Sequence, residues 1–299
     1  MADTTKNHVV KSGETLGRIA QDNEVTVEEI RALNPDVTDP NKIFAGQTIL
    51  IPVKGEGQPE ASTGTGSEEA VQPLAPGAVI TGMDANLPLK KKHIDCLRLR
   101  GFRFAVRYYT RRDRTRTLTL DEAKALVTGG FQLGAVFEDG FPGDPNKQPA
   151  FFTHERGVGD AQAAHDRASN KIGQPANSTI YFGVDFDASQ KHIDSGITHY
   201  FEGVREAFLA ANSGTLKYHI GVYGSGLTCT QLLKKGLATF AWLSQSTDHQ
   251  GSKQFKQQKL YNLVQGPRQK NVCELDEIDG DETNPDPVKF PSGLFTIPV

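Results

Sequence analysis

Cysteine is nearly missing from this chain. Its 299 residues hold three, Cys96, Cys229 and Cys273, an odd number, widely separated and outside any metal-ligand spacing. They are expected as small core residues, not as a disulfide framework. An excess of basic residues is missing too. Lys and Arg number 33 against 36 Asp and Glu, a formal charge of −3, which removes the electrostatic footprint that nucleic-acid binding needs. No apolar run approaches the ~20 residues that cross a bilayer, and Met1 to Asn7 is polar with no hydrophobic stretch behind it. Neither membrane insertion nor a Sec-type signal is therefore expected. The protein is expected to be made in the cytoplasm, so action outside the membrane needs another route. Other chemistries lack their signatures. Gly224-Ser225-Gly226 is not a full nucleophile elbow, and there is no Gly-rich phosphate loop. His93, His165, His192, His199 and His219 stand at no metal-ligand spacing. No cofactor and no metal is expected. At 37% hydrophobic and 23% charged residues the composition is globular, and the length suggests about two domains.

What is present begins with residues 1–53. His8-Val9-Val10 reads as a short strand, and Ser12-Gly13-Glu14-Thr15-Leu16 turns into a helix whose Leu16, Ile19 and Ala20 fit the helical period. Thr26 with Glu29 is a capping box that opens a second helix through Ile30 and Leu33. Asn34-Pro35 stops it, because proline disfavours the helical conformation in the residue before it. Ile43 to Pro52 reads as a turn and a closing strand. The order is strand, helix, helix, strand. HVVKSGETLGRIA, LNPD and IFAGQTILIP, in this order and spacing, resemble a LysM module. The resemblance implies a βααβ domain that binds N-acetylglucosamine-containing glycans such as peptidoglycan. The binding loops would carry Gly13, Thr15 and Leu16 on one side and Asn34 and Gln47 on the other. A polar groove beside an apolar floor suits a sugar, which offers both hydroxyls and C–H faces.

Residues 54–77 carry almost no large apolar side chain and are rich in Gly, Ser, Thr, Glu and Pro. Such a segment cannot bury enough surface to offset ordering and is expected as a flexible linker. From 78 to 299 strand-like runs alternate with helical ones. Strands are expected at 78–84, 102–109, 131–138, 178–187, 216–223, 239–245, 259–265 and 272–278. Alternation argues a parallel sheet, and eight units argue an α/β (β/α)8 TIM-like barrel. The last two connections are too short for good helices, so the barrel is expected to be irregular at its end. A doubly wound open sheet is the other arrangement.

In such barrels function gathers where strands end. Asp84 follows the first expected strand, Glu138 and Asp139 the third, Asp185 and Asp187 the fourth, and Glu274 and Asp276 lie on the eighth. Tyr181 to Asp187 reads as a buried strand whose spacing of two puts both carboxylates on one face, roughly 6 to 7 Å apart. Unpartnered buried carboxylates are costly, so the pair is expected at a water-facing end, for chemistry or to cap a helix or hold a cation. Tyr108 and Tyr109 end the second strand, Tyr223 the fifth, and Trp242 lies on the sixth, as sugar platforms or as core. Asp279-Gly280-Asp281-Glu282 reads as a solvated acidic turn. The loop 139–157 is long enough for a lid.

TGMDANLP, RYY, VFED, IGQPANSTIYFGVDFD, GVYGS and YNLVQG resemble a bacterial glycoside-hydrolase-like barrel family of formally unknown function, related to the family 25 lysozymes. The resemblance implies cleavage of peptidoglycan glycan strands next to N-acetylmuramic acid. By position Asp185 and Asp187 match the lysozymes' Asp-x-Glu pair, Asp84 their strand-one aspartate and Glu274 their strand-eight aspartate. Asp187 stands where those enzymes carry the acid glutamate. A glycosidase needs one protonated carboxyl and one ionised one. Glu138 is the candidate acid/base, Asp185 the stabiliser of the cationic centre, and Asp187 and Asp84 its orienting partners. Asp187 as the acid is the second assignment. Tyr108, Tyr109, Tyr223, Trp242 and Glu274 are candidate sugar contacts. Two function classes stay open, a wall-targeted muramidase and a non-catalytic sugar-binding wall protein. The export problem suits a secreted antibacterial effector of the type VI kind, with an immunity protein and a secretion component as partners, or a phage endolysin.

Overall fold

The computed structural model describes residues 5–9, 16, 19–20, 23, 25–34, 37, 48–52 and 79–299. Gly13, Thr15, Gln47 and the expected linker at 54–77 lie outside the described residues. The chain divides into two compact units, Met1–Glu69 and Ala70–Val299.

In the first unit β1 (Thr5–Val9) pairs antiparallel with β2 (Thr48–Pro52), Thr5 opposite Pro52 and Val9 opposite Thr48. Helix α1 (Val27–Leu33) starts on the expected capping box: Thr26 Oγ1 accepts from the Glu29 amide at 3.1 Å, and Glu29 Oε2 accepts from the Thr26 amide at 2.6 Å. Two orphan amides of the first turn are thereby satisfied. Leu16, Ile19, Ala20, Val25, Ile30, Val37, Ile49 and Ile51 bury together. Ile49 and Ile51 share a strand face because side chains alternate.

The second unit closes eight strands into a barrel. β3 (Thr81–Asp84), β4 (Phe104–Tyr109), β5 (Gln132–Phe137), β6 (Thr179–Gly183), β7 (His219–Gly224), β8 (Phe240–Leu243) and β9 (Leu263–Val272) run parallel in that order. β10 (Leu275–Thr283) pairs with both β9 and β3 and shuts the seam, but it is antiparallel to both. The barrel is found as expected, and the irregularity at its end takes the form of this one antiparallel strand. Only Cys273 and Glu274 separate β9 from β10, and a link that short turns a chain back, whereas a parallel neighbour needs a crossover of about a dozen residues. Each of β3 to β8 is followed by helix: α2 (Lys91–Leu99), α3 (Leu120–Thr128), α4 (His154–Asp166), α5 (Thr198–Ala211), α6 (Gly226–Lys234) and the short α7 (Ser252–Gln257).

Strand alternation makes two cores. Outward residues such as Ala105, Leu133, Ile180 and Val222 pack under the helices, while Phe104, Val106, Val136, Tyr181, Phe240, Trp242 and Leu263 fill the lumen. Glycine makes room for the large lumen rings: a Cβ on Gly82 or Gly221 would sit 2.4 Å from the Phe104 or Tyr181 ring. The end of the chain crosses the barrel floor. Leu133 and Phe295 exchange backbone hydrogen bonds, Leu294 packs on the lumen cluster, and the Ser292 carbonyl accepts from Tyr181 Oη at 3.3 Å. The lumen therefore opens at the other end, where the parallel strands finish.

Cys96 on α2 and Cys273 in the β9–β10 turn form a disulfide, Cα atoms 5.7 Å apart, which corrects the expectation of three core thiols. Only Cys229 is free, and it is buried. The bonded pair lies 177 residues apart in sequence and meets only because β10 closes on β3. The loop expected as a lid is packed down: Phe141 and Phe152 lie 6.0 to 6.2 Å from the Phe186 ring, and Phe151 adds an edge contact at 5.3 Å to Phe152.

Candidate active site

The open end of the barrel holds a cavity of about 310 Å³. Its inner wall is a chain of hydrogen bonds between side chains that end their strands pointing inward. Asp84, buried at the end of β3, accepts from Gln265 Nε2 at 2.7 Å and from Tyr108 Oη at 3.4 Å. Gln265 Oε1 accepts in turn from Tyr223 Oη at 2.8 Å. Two residues deeper, Asp281 on β10 accepts from Trp242 Nε1 at 2.9 Å, and its second carboxyl oxygen has no hydrogen-bond partner among the described residues. Trp242 and Tyr223 pack tilted against each other, 4.5 Å between centroids, to form the floor. Burial removes the water that would solvate the acids. It raises Asp84 from the ordinary 3.8 to about 7, Asp279 adding repulsion, and pushes Asp281 well above its usual range with the Asp84 charge adding to it.

At the neck stand Glu138, just past β5, and Asp185, just past β6. Glu138 is partly buried, its Oε1 3.1 Å from Arg116 Nη1, and the same guanidinium donates to the Glu138 carbonyl and lies 4.8 Å over the Tyr108 ring. Its carboxyl is raised: burial acts most strongly, Arg116 opposes it, and the Asp185 charge adds to the rise. Asp185 reaches water at the mouth, yet the surrounding walls raise it too, with His249 opposing.

Other expected site residues fall elsewhere. β6 stops at Gly183, so strand alternation does not reach Asp187. That residue leaves the cavity, is exposed, and accepts from the Gln250 amide at 2.8 Å. Tyr109 points outward into the helix layer, where its hydroxyl donates to Gln174 Oε1 at 2.9 Å. Glu274 sits exposed in the β9–β10 turn, ion-paired with Lys92 and outside the cavity. Leu16 is fully buried in the first unit, and the Asn34 amide group donates to the Ile30 carbonyl at the end of α1. The acidic stretch expected as a solvated turn is strand: Asp279 lines the cavity and Asp281 lies beneath it. Arg116, Gln245, Gln265, Arg268 and Glu277 complete the wall without having been singled out. Asp279 and Asp281 stand at the same spacing of two that drew attention to Asp185 and Asp187, which was the available signal.

The model of the Rv2525c-like, glycoside hydrolase-like domain matches residues 95–283, and that of the LysM domain matches residues 8–52. The chain belongs to the Rv2525c-like, glycoside hydrolase-like family. Uncharacterized protein YbfG of Bacillus subtilis is 30% identical over 156 residues, 50% of this chain but 20% of YbfG, so the chain spans about a fifth of that relative's length. The Tat-secreted protein Rv2525c of Mycobacterium tuberculosis shares the barrel at a TM-score of 0.56 and 18% identity, over 72% of this chain and 98% of that one. A muramidase from Acremonium alcalophilum stands further off, at a TM-score of 0.45 and 15% identity over 72% and 98% of the two chains. The first unit is a LysM domain, and the barrel is the glycoside hydrolase-like domain.

In that domain Asp84 predicts a pH dependence of stability. Between about pH 4 and pH 7 the folded state holds a proton that the unfolded chain has released. Stability therefore falls as pH rises through this window. Asp84→Asn is expected to flatten that slope, gaining on the parent most above pH 7 and least near pH 4. Urea midpoints at pH 4.5 and 8 check it, and equal slopes in the two proteins would contradict the buried-acid account.

Proposed function

We propose that residues 78–299 hydrolyse the glycan strands of peptidoglycan, that residues 1–53 hold the protein on the wall, and that residues 54–77 tether the two. The neck geometry carries this reading. Glu138 and Asp185 face one cavity from adjacent strands, and their environments differ: one carboxyl is recessed beside an arginine, the other reaches water. Separated environments of this kind allow one acid to donate a proton to a leaving oxygen while the other, ionised, faces the anomeric carbon. The amide of Gln245 supplies hydrogen bonds for sugar hydroxyls. The family's glycoside hydrolase-like description supports the same reading.

Deleting residues 1–53 is expected to weaken pulldown on insoluble peptidoglycan by tenfold or more, since a tethered module raises the local wall concentration by ~10² or more in favourable cases. Unchanged wall binding would remove the tether from the account. An exported antibacterial effector, restrained in its own cell by an immunity protein, is the biological role we attach to this activity. Expression with a periplasmic signal is then expected to round or lyse Gram-negative cells. A sugar-binding wall protein without turnover is the competing reading; Tyr108 under Arg116 and the buried Trp242 leave few open aromatic faces, which favours the enzyme.

A further inference from the structure

We infer that the Cys96–Cys273 disulfide is a redox latch on the cavity: the bond holds one wall in place, and its reduction loosens that wall and weakens substrate binding. The binding readout rests on the hydrolase reading above; the latch itself does not. From Gly266 to Ile278, β9 and β10 pair only with each other, because β9 leaves β8 after Val264 and β10 joins β3 first at Asp279. The two strands therefore stand out from the barrel rim as a ribbon, with residues 267–271, Glu274, Asp276 and Glu277 exposed. A lone two-stranded ribbon is marginally stable in water. Yet this one supplies a side of the cavity through Arg268, Glu277 and Ile278. Arg268 keeps its guanidinium within the β9–β10 pair, on Glu277 and Asp279.

The ribbon is tied down at its tip. Cys273 and Glu274 are the two central residues of the turn, and both have positive φ, 54° and 63°, a backbone that such hairpins ordinarily fill with Asn-Gly. Neither side chain favours that conformation, and each reaches α2: Cys273 bonds to Cys96, and Glu274 pairs with Lys92. Lys92 and Cys96 are four residues apart, so one face of the helix receives both. Among the described residues these are the only covalent or polar ties from Gly266–Ile278 to anything but β9 and β10. The ion pair is exposed and contributes little. Val272, Leu275 and Ile278 pack into the outer core, so without the bond the ribbon stays docked part of the time. Cys96 is partly exposed and Cys273 is buried, which leaves Cys96 Sγ to an external dithiol. A thiolate of the dithiol bonds to that sulfur and expels Cys273 as a thiolate; the reagent's second sulfur then displaces Cys96. Two electrons and two protons end on the cysteines as thiols, and the reagent is left as a disulfide. A reducing cytoplasm favours the open state, and a periplasm or cell surface favours the bond.

The full chain should be compared oxidised, reduced with dithiothreitol, and as Cys96→Ser, with thiol titration confirming each state. With the bond broken, amide hydrogen exchange in 266–278 is expected to rise about tenfold or more while β4 to β6 keep their protection. KM on solubilised glycan strands is expected to rise about three- to tenfold as the binding-competent fraction falls. The change in kcat should be smaller, because Glu138 and Asp185 stand past the ends of β5 and β6. Reoxidation should restore the reduced parent and leave Cys96→Ser as it was. Unchanged exchange in 266–278 with the bond broken overturns the inference even if the urea midpoint falls, since a cross-link lowers that midpoint on removal through the unfolded chain alone. Raised exchange with unchanged KM in a cleaving protein overturns it too, for the ribbon would then be no part of the binding wall. Three free thiols in the oxidised preparation would overturn it outright. If the oxidised parent cleaves nothing, the hydrolase reading fails separately, and exchange in 266–278 decides the latch alone.

Discussion

Glu138→Gln is expected to lower glycan-strand cleavage by about 10² to 10⁴-fold, the usual contribution of a positioned acid/base group, while thermal unfolding stays close to the parent's. An amide preserves the shape of the side chain and can still meet Arg116, but it has no proton to give a leaving oxygen. The raised carboxyl of Glu138, recessed between strands and facing the charge of Asp185, is the state a general acid requires. Asp185→Asn is expected to do comparable damage by removing charge opposite the developing cation. Asp187→Asn is expected to be much milder, since that carboxylate accepts from the Gln250 amide away from the cavity and an amide oxygen can accept the same bond. Should Asp187→Asn prove the more damaging change and Glu138→Gln retain near-parent turnover, the acid is Asp187 and the assignment reverses.

Glu122→Ala is expected to cost about 3 to 5 kcal/mol of folding free energy, because it leaves a buried charge unpaired. Arg107 on β4 is fully buried and points outward beneath α3. Its Nε donates to Glu122 Oε1 at 2.8 Å, and the Leu89 amide donates to the same oxygen at 2.8 Å. The guanidinium also donates to the carbonyls of Ala85 and Arg116, the neighbour of Asp84 and the partner of Glu138. One ion pair under the barrel wall thus braces two residues of the neck. Urea denaturation checks the loss. The paired replacement Arg107→Met with Glu122→Leu is expected to recover much of it, because removing both charges removes the uncompensated one. A loss below about 1 kcal/mol in Glu122→Ala would show that the pair is not buried as described.

The barrel was legible because its signals are local. Period-two strands such as Phe104 to Tyr109 alternate with helices that carry their own starts: Thr119 caps α3, its Oγ1 accepting from the Glu122 amide at 3.2 Å. The Glu122 carboxylate does not close that cap but turns inward to Arg107, a choice that depends on a strand 15 residues earlier. Closure of the seam was illegible for the same reason. Nothing local tells that Val272 and Leu275 face each other across a turn, so the sequence pattern reads the eighth unit as parallel, Asp279 to Glu282 as an acidic turn and Glu274 as a residue of the eighth strand. The disulfide depends on that same seam. Asp84, Glu138, Asp185, Tyr108, Tyr223 and Trp242 do converge on one cavity, because strand ends in a closed barrel must. Asp187 and Tyr109 do not, as alternation stops where β6 ends and turns Tyr109 outward next to Tyr108.

Release of new reducing ends from purified peptidoglycan, followed for the parent and for folded Glu138→Gln side by side, tests the central claim most directly. The account predicts steady release by the parent and a loss of at least about 10²-fold in the variant. No release by the parent, or equal release by the two, would contradict it.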